Sequence, residues 1–251
     1  MRREAFHVKS SPDGGALAAL GALACKYGLN ARQQEQLGGL LEALHSDEHA
    51  PTSVRSPSQA VNAHLADSLA ALELETVRSA TTIADVGAGA GFPGLALAVA
   101  LPGSELRLLE SQRSKCAFMG RVIAAVGLGN ARAVCTRAED WHEGEGRHDA
   151  VLARAVAAQP VVLEYAAPLL ALGGTLVDWR GRRVADEEDA ALRAADELGL
   201  IRTEVRAVPP FEGATDHHLH LYQKVRDTPE RFPRRPGMAR KRPLGSAGGD
   251  L

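Results

Sequence analysis

Several features are scarce or missing in this 251-residue chain. Cysteine occurs three times, at Cys25, Cys116 and Cys135, odd in number and widely spaced, which gives no basis for a disulfide framework or a C-x-x-C metal or redox site. No apolar run approaches the roughly 20 residues that span a bilayer. The opening MRREAFHVKSSPDGG lacks the apolar stretch of a secretion signal, so the reading is a cytoplasmic protein without a membrane partner. Charge of one sign is also lacking. The 29 basic and 31 acidic residues sum to −2, so no global field draws the chain to nucleic acid, and any such role must rest on a local patch. The G-x-S-x-G elbow of serine hydrolases is missing. His217, His218 and His220 have neither a cysteine nor a well-spaced acid beside them, so no metal is expected. Aromatic residues make up only 4%, with alanine and glycine abundant, but 45% hydrophobic and 24% charged residues exclude disorder for most of the chain.

What is present reads as one α/β domain with a smaller N-terminal appendage. Residues 1–15 form a loose tail, and 16–78 form a helical region. Apolar residues recur at helical spacing from Ala16 to about Leu44, with Leu37, Leu40, Leu41 and Leu44 in one stripe and a break near Gly28-Leu29-Asn30. SPSQ, Ser56 to Gln59, fits a capping box, and the helix it opens carries Val61, Leu65, Leu69 and Leu72 on one face. From Thr81 short apolar runs alternate with helical stretches. Strands are expected at 81–87, 105–110, 131–136, 149–155, 174–180, 201–208 and 217–225, and helices at about 93–101, 113–126, 159–171 and 184–198. This alternation predicts right-handed crossovers and a Rossmann-like domain over 79–225, with a mostly parallel seven-stranded sheet. Only PPFEGATD separates the last two strands, which predicts an antiparallel ending, as in class I methyltransferases. Residues 226–251 read as a basic, flexible tail. Between Arg226 and Arg242 it holds seven basic residues against two acids and is rich in proline, a composition unable to pack as a core element.

The central motif is DVGAGAGFPG, residues 85–94. Read from Gly89 it satisfies G-x-G-x-x-G, the dinucleotide fingerprint. Read from Asp85 it is an acid followed by G-x-G-x-G, which suggests S-adenosylmethionine. In either case a strand turning through glycines into a helix presents backbone N–H groups at the sheet's carboxyl edge, where open α/β folds bind ligands. Asp85 offers nothing to a pyrophosphate but suits the ammonium and sulfonium of S-adenosylmethionine. Glu110, ending the next strand, is placed for ribose hydroxyls with either cofactor. The RAED segment after the third strand offers Glu139 and a backbone amide to an adenine edge, again favouring S-adenosylmethionine.

Arg113, Lys115, Arg154, Arg180, Arg182 and Arg183 fall near the same edge, which should face an anion. Lys115 and Arg183 read as ordinary solvated charges. Arg154 sits in the apolar string LARAVA, and a buried arginine there needs a carboxylate or phosphate partner.

These residues resemble the RsmG (GidB) family of 16S ribosomal RNA methyltransferases, which methylate guanine N7. The likeness runs from about Thr52 to Leu244 and includes TSVRSPSQAVNAHLADSL, DVGAGAGFPGLALAVALP, LLESQRSKCAFM, the RAED loop, ARAVA, GGTLVDWRG and TPERFPRRPG. Gly89, like Gly87 and Gly91, lets a cofactor approach the backbone because no Cβ intervenes, and the resemblance implies cofactor contacts at Gly87, Phe92, Ala138, Glu139 and Arg154, with Glu110 on the ribose and Asp85 at the methionine end. It further implies that Arg55, His64, Asp67 and Ser68 border the active-site face. The last three are spaced to share one helix face, away from Val61, Leu65 and Leu69. Two departures stand out: Ala50-Pro51-Thr52 replaces an Asn-Leu-Thr sequence common in the family, and Trp179-Arg180-Gly181 replaces a Leu-Lys-Gly type, keeping a cation.

The expectation is therefore a monomeric, S-adenosylmethionine-dependent enzyme acting on 16S ribosomal RNA or a small-subunit particle. Arg154, Arg55, His64 and Asp67 would position substrate rather than abstract a proton. Two alternatives stand beside it, a class I methyltransferase for a small anionic molecule and a non-catalytic nucleotide-binding module.

Overall fold

The computed structural model describes residues 14–47, 50–52, 54 and 56–246. Most of the expected 1–15 tail lies outside that range, and its last two residues already belong to the first helix, α1 (Gly14–Lys26). α2 (Ala31–Ser46) follows after the expected break. Its start is set by Asn30, whose side chain accepts from Gln33 N–H while the Gln33 side chain accepts from Asn30 N–H, a complete capping box. The box expected at Ser56 does not form. Ser56 makes no capping bond, and its hydroxyl pairs with that of Ser58 at 3.1 Å.

The next helix is broken into short pieces: α3 (Pro57–Ala60), a π-helical stretch (Val61–Ala66), α4 (Asp67–Leu69), a 3₁₀ turn (Ala70–Glu73) and, after Leu74, α5 (Glu75–Arg78). Its apolar stripe behaves as expected, with Val61, Leu65, Leu69 and Leu72 all buried.

The sheet contains β1 (Thr82–Val86), β2 (Glu105–Glu110), β3 (Ala131–Cys135), β4 (His148–Arg154), β5 (Leu170–Arg180), β6 (Leu200–Ala207) and β7 (His218–Lys224). Its order is β3-β2-β1-β4-β5-β7-β6, with β7 antiparallel to both neighbours. This is the class I methyltransferase arrangement. α6 (Gly94–Ala100) and α7 (Arg113–Val126) pack on one face with α1 and α2. α8 (Gln159–Ala166) and α9 (Ala185–Leu198) cover the other. α8 stops short of the expected 171 because β5 already begins at Leu170. Strand order reverses between β1 and β4, so their carboxyl ends open the crevice where this architecture binds ligands.

Over residues 226–246 the C-terminal segment departs from the expectation of a flexible tail, and the remainder of that tail, 247–251, lies outside the described residues. Phe232 and Ala239 are buried in the α8/α9 core, and α10 (Met238–Lys241) lies against α8. Composition pointed the wrong way because two apolar anchors, Phe232 and Ala239, and one ion pair to a buried carboxylate seat the segment, with no need for a long apolar stripe. Among the described residues no helix is long and apolar enough to cross a membrane.

Candidate functional site

Asp85 is the penultimate residue of β1, with its side chain buried. Oδ2 accepts from Gly94 N–H at 2.8 Å, at the start of α6, whereas Oδ1 is buried without a hydrogen-bond partner. Burial pushes the carboxyl up to about 7, against the pull of the Gly94 hydrogen bond and the Arg154 charge. Two glycines make this packing possible. A Cβ on Gly94 would sit 2.7 Å from Asp85 Oδ2, and one on Gly87, whose φ is +71°, would meet Val156 at 2.9 Å.

Glu110 closes the other side of the glycine loop. Its Oε2 accepts from Gly89 N–H at 3.2 Å and its Oε1 from Gln112 N–H at 2.9 Å, while Lys115 Nζ lies 3.9 Å away. Lys115 is therefore attached to this group rather than being a solvated charge. Oε1 also accepts from the Ser111 hydroxyl at 3.4 Å, so it is Oε2 that keeps acceptor capacity for a sugar hydroxyl. Glu139, in a short 3₁₀ turn (Ala138–Asp140), is also buried, and its Oε1 accepts from Gly237 N–H at 3.2 Å. Ala138 beside it is half-buried.

Arg154, at the end of β4, finds the carboxylate its surroundings demand. Nη1 donates to Asp67 Oδ2 at 2.7 Å and to the Ala63 carbonyl at 3.0 Å, tying the broken helix to the sheet. Asp67 is shared: His217 Nδ1 lies 3.2 Å from Oδ1, and Trp179 Nε1 donates to the Asp67 carbonyl at 3.0 Å. His64 stacks on Phe92 with ring centroids 4.9 Å apart, and its Nε2 lies 3.0 Å from the Thr52 hydroxyl. Burial first, and then the Arg154 charge, hold the imidazole down at about 4. Ser68 does not join this face. Its hydroxyl donates to the His64 carbonyl in its own helix, and the side chain is fully buried. Arg55 lies outside the described residues.

Residues that sequence reasoning passed over complete the site. Thr52 and Trp179 carried no signal beyond lying in family-like strings, and His217 was weighed only as a metal ligand. The polar pattern N-x-x-Q would have located the cap at Asn30. The other basic residues separate. Arg180 binds the buried Asp178 at 2.6 Å, Arg183 is solvent-exposed as expected while pairing with Glu188, and Arg182 is exposed. Two grooves elsewhere on the surface, one between α7 and β3 and one at the amino ends of β2 and β3, are lined by none of Asp85, Glu110, Glu139 or Arg154.

Chemically, this edge fits a nucleoside ligand with a cationic head. A buried carboxyl oxygen without a partner, beside a glycine loop that leaves room for close approach, favours a positive group over a pyrophosphate.

The family model described as GidB, rRNA small subunit methyltransferase G, matches residues 33–217. A Ribosomal RNA small subunit methyltransferase G of Rubrobacter xylanophilus is 37% identical over 98% of this chain and 96% of its own length. One of Synechococcus sp. (strain JA-3-3Ab) is 37% identical over 85% of each chain. Among solved structures, a mutant of MtNAS superposes with a TM-score of 0.52 at 15% identity, covering 85% of this chain and 78% of its own, a likeness of fold alone. With the family model matching most of its length and such relatives spanning nearly all of it, the chain belongs to the GidB family, rRNA small subunit methyltransferase G.

Proposed function

We propose that this chain transfers a methyl group from S-adenosylmethionine to N7 of a guanine in 16S ribosomal RNA, acting as a cytoplasmic monomer. The observation that carries the reading is Asp85: a buried carboxyl with an unpartnered oxygen at the strand-order reversal, in a chain of this family. Asp85 would hold the methionine end, Glu110 the ribose, and Glu139 with the Ala138 backbone the adenine. Gly87, Gly89 and Phe92 would line the loop between them, and Arg154 would close it from β4. S-adenosylmethionine supplies an electrophilic methyl group when bound. The names of the relatives support ribosomal RNA as the substrate.

Guanine N7 carries an in-plane lone pair, so the site needs alignment rather than a strong base. His64, held at about 4, is a poor base at neutral pH, while Arg154 and His217 fix Asp67 in place. Both suit side chains that orient a base. Residues 79–225 form the catalytic domain in this reading, and 16–78 its helical partner.

Titration calorimetry with S-adenosylmethionine against NADH and ATP tests the cofactor. Mass mapping of 16S ribosomal RNA incubated with labelled cofactor tests the substrate, and methylation of no RNA would favour a small anionic substrate. Asp85→Asn sharpens the test. The folded protein keeps a proton on Asp85 that the unfolded chain releases between 3.8 and about 7, so wild-type stability falls as pH rises through that window. The variant should lose S-adenosylmethionine binding yet melt higher than wild type at about pH 8, with the gap shrinking on acidification.

A further inference from the structure

The arm that follows β7 is anchored on its inner side by one carboxylate. Glu164 on α8 is 0% exposed and accepts three bonds from Arg234: from the backbone N–H at 3.0 Å, Nε at 2.9 Å and Nη2 at 2.5 Å. Arg234 Nη2 also donates to the Arg242 carbonyl at 2.8 Å, closing residues 234–242 into a loop. Inside that loop Gly237, at φ +83°, caps α10 and donates its N–H to Glu139 Oε1. Arg240 Nη2 donates to the Val156 carbonyl at 2.9 Å, and Val156 is the residue a Cβ on Gly87 would strike. Tyr165 on α8 lies beside both Glu139 and Arg240. The loop thus touches the backing of the glycine turn and the buried acid of the RAED segment together. Its outer side presents Arg235, Lys241 and Arg242, all exposed.

We infer that residues 234–242 form a wall of the cofactor site, with Arg234 as the positioning residue that sets Gly237 N–H against Glu139 and Arg240 against the backbone behind Gly87. The inference rests on the reading that Glu139 and Gly87 face S-adenosylmethionine, and it gives the arm a task separate from holding RNA phosphates. A carboxylate as buried as Glu164 needs its arginine, and Arg234 bonds Glu164 and the Arg242 carbonyl together, so the loop closes as a unit.

The test is calorimetric titration of S-adenosylmethionine into the full chain and two variants. Arg240→Ala removes the Val156 contact and the neighbouring interaction with Tyr165, and leaves the Arg234–Glu164 pair intact. Arg234→Met combined with Glu164→Met removes both partners of the buried pair, which leaves no uncompensated charge and keeps the fold. Each is expected to raise the Kd for S-adenosylmethionine roughly tenfold or more, the scale of one lost charge-assisted hydrogen bond. At saturating cofactor, kcat and the KM for ribosomal RNA should stay near wild type, and Arg234→Lys should recover part of the affinity. An unchanged cofactor Kd with a raised KM for RNA would overturn the inference, leaving the arm an RNA-binding element only. A wild-type chain that binds NADH or ATP but no S-adenosylmethionine would overturn the cofactor reading itself, and the wild-type titration separates that failure from the first.

Discussion

The broken helix 57–73 and the C-terminal arm reach the same sheet edge from opposite faces, and they are held there by different physics. The helix is seated by apolar burial: Val61, Leu65 and Leu69 are fully enclosed, and Arg154–Asp67 is its one strong ionic tie to the sheet among the described residues. The arm buries little beyond Phe232 and Ala239 and depends on the three bonds from Arg234 to a carboxylate with no solvent contact. Burial of an apolar stripe is distributed and tolerates small changes, whereas a buried ion pair concentrates the docking energy in one residue. Removing one partner leaves a stranded charge.

The contrast is broken most severely at Arg234. Arg234→Ala should destabilise the protein by about 3–5 kcal/mol, because Glu164 is left buried and unpaired. Urea unfolding followed by circular dichroism measures this, and a cost below about 1 kcal/mol would mean that the arm is not anchored by the pair. On the helix side, Leu65→Ala should cost about 2–5 kcal/mol through lost burial and the cavity left behind, and methionine at the same position much less.

Acidification should separate the two regions. His64 is neutral in the folded helix at about 4 but titrates at 6.5 when exposed, so the helix loses stability as pH falls from 6.5 towards 4. Hydrogen exchange should show faster opening of 57–73 across that window, and His64→Gln should flatten the trend. The smallest effects belong to the exposed pairs Lys26–Glu73 beside the helix and Arg226–Asp196 beside the arm. Alanine at either basic residue should change stability by no more than about 0.5 kcal/mol, because water screens both pairs.

Much of the fold was legible because its signals are local. All seven strands and the four crossover helices lie close to their expected positions, since alternation of short apolar runs with helical periodicity survives in any context. The glycine loop was legible for the same reason. Other features depended on contacts distant in sequence. Ser56 satisfied the capping pattern and does not cap, its hydroxyl being paired with that of Ser58. His217 meets Asp67 across 150 positions, and Arg234 meets Glu164 across 70. No window of the sequence contains both members of either pair.

By itself the sequence determined the class of sheet, the place of the glycine turn and the need of Arg154 for an anionic partner, each a matter of period, backbone freedom or the cost of a buried charge. Only the tertiary structure decided which carboxylate answers Arg154, that Ser68 turns back into its own helix, and that a basic, proline-rich segment packs against α8. Those outcomes depend on which distant groups share a low-dielectric space, and chain folding alone settles that.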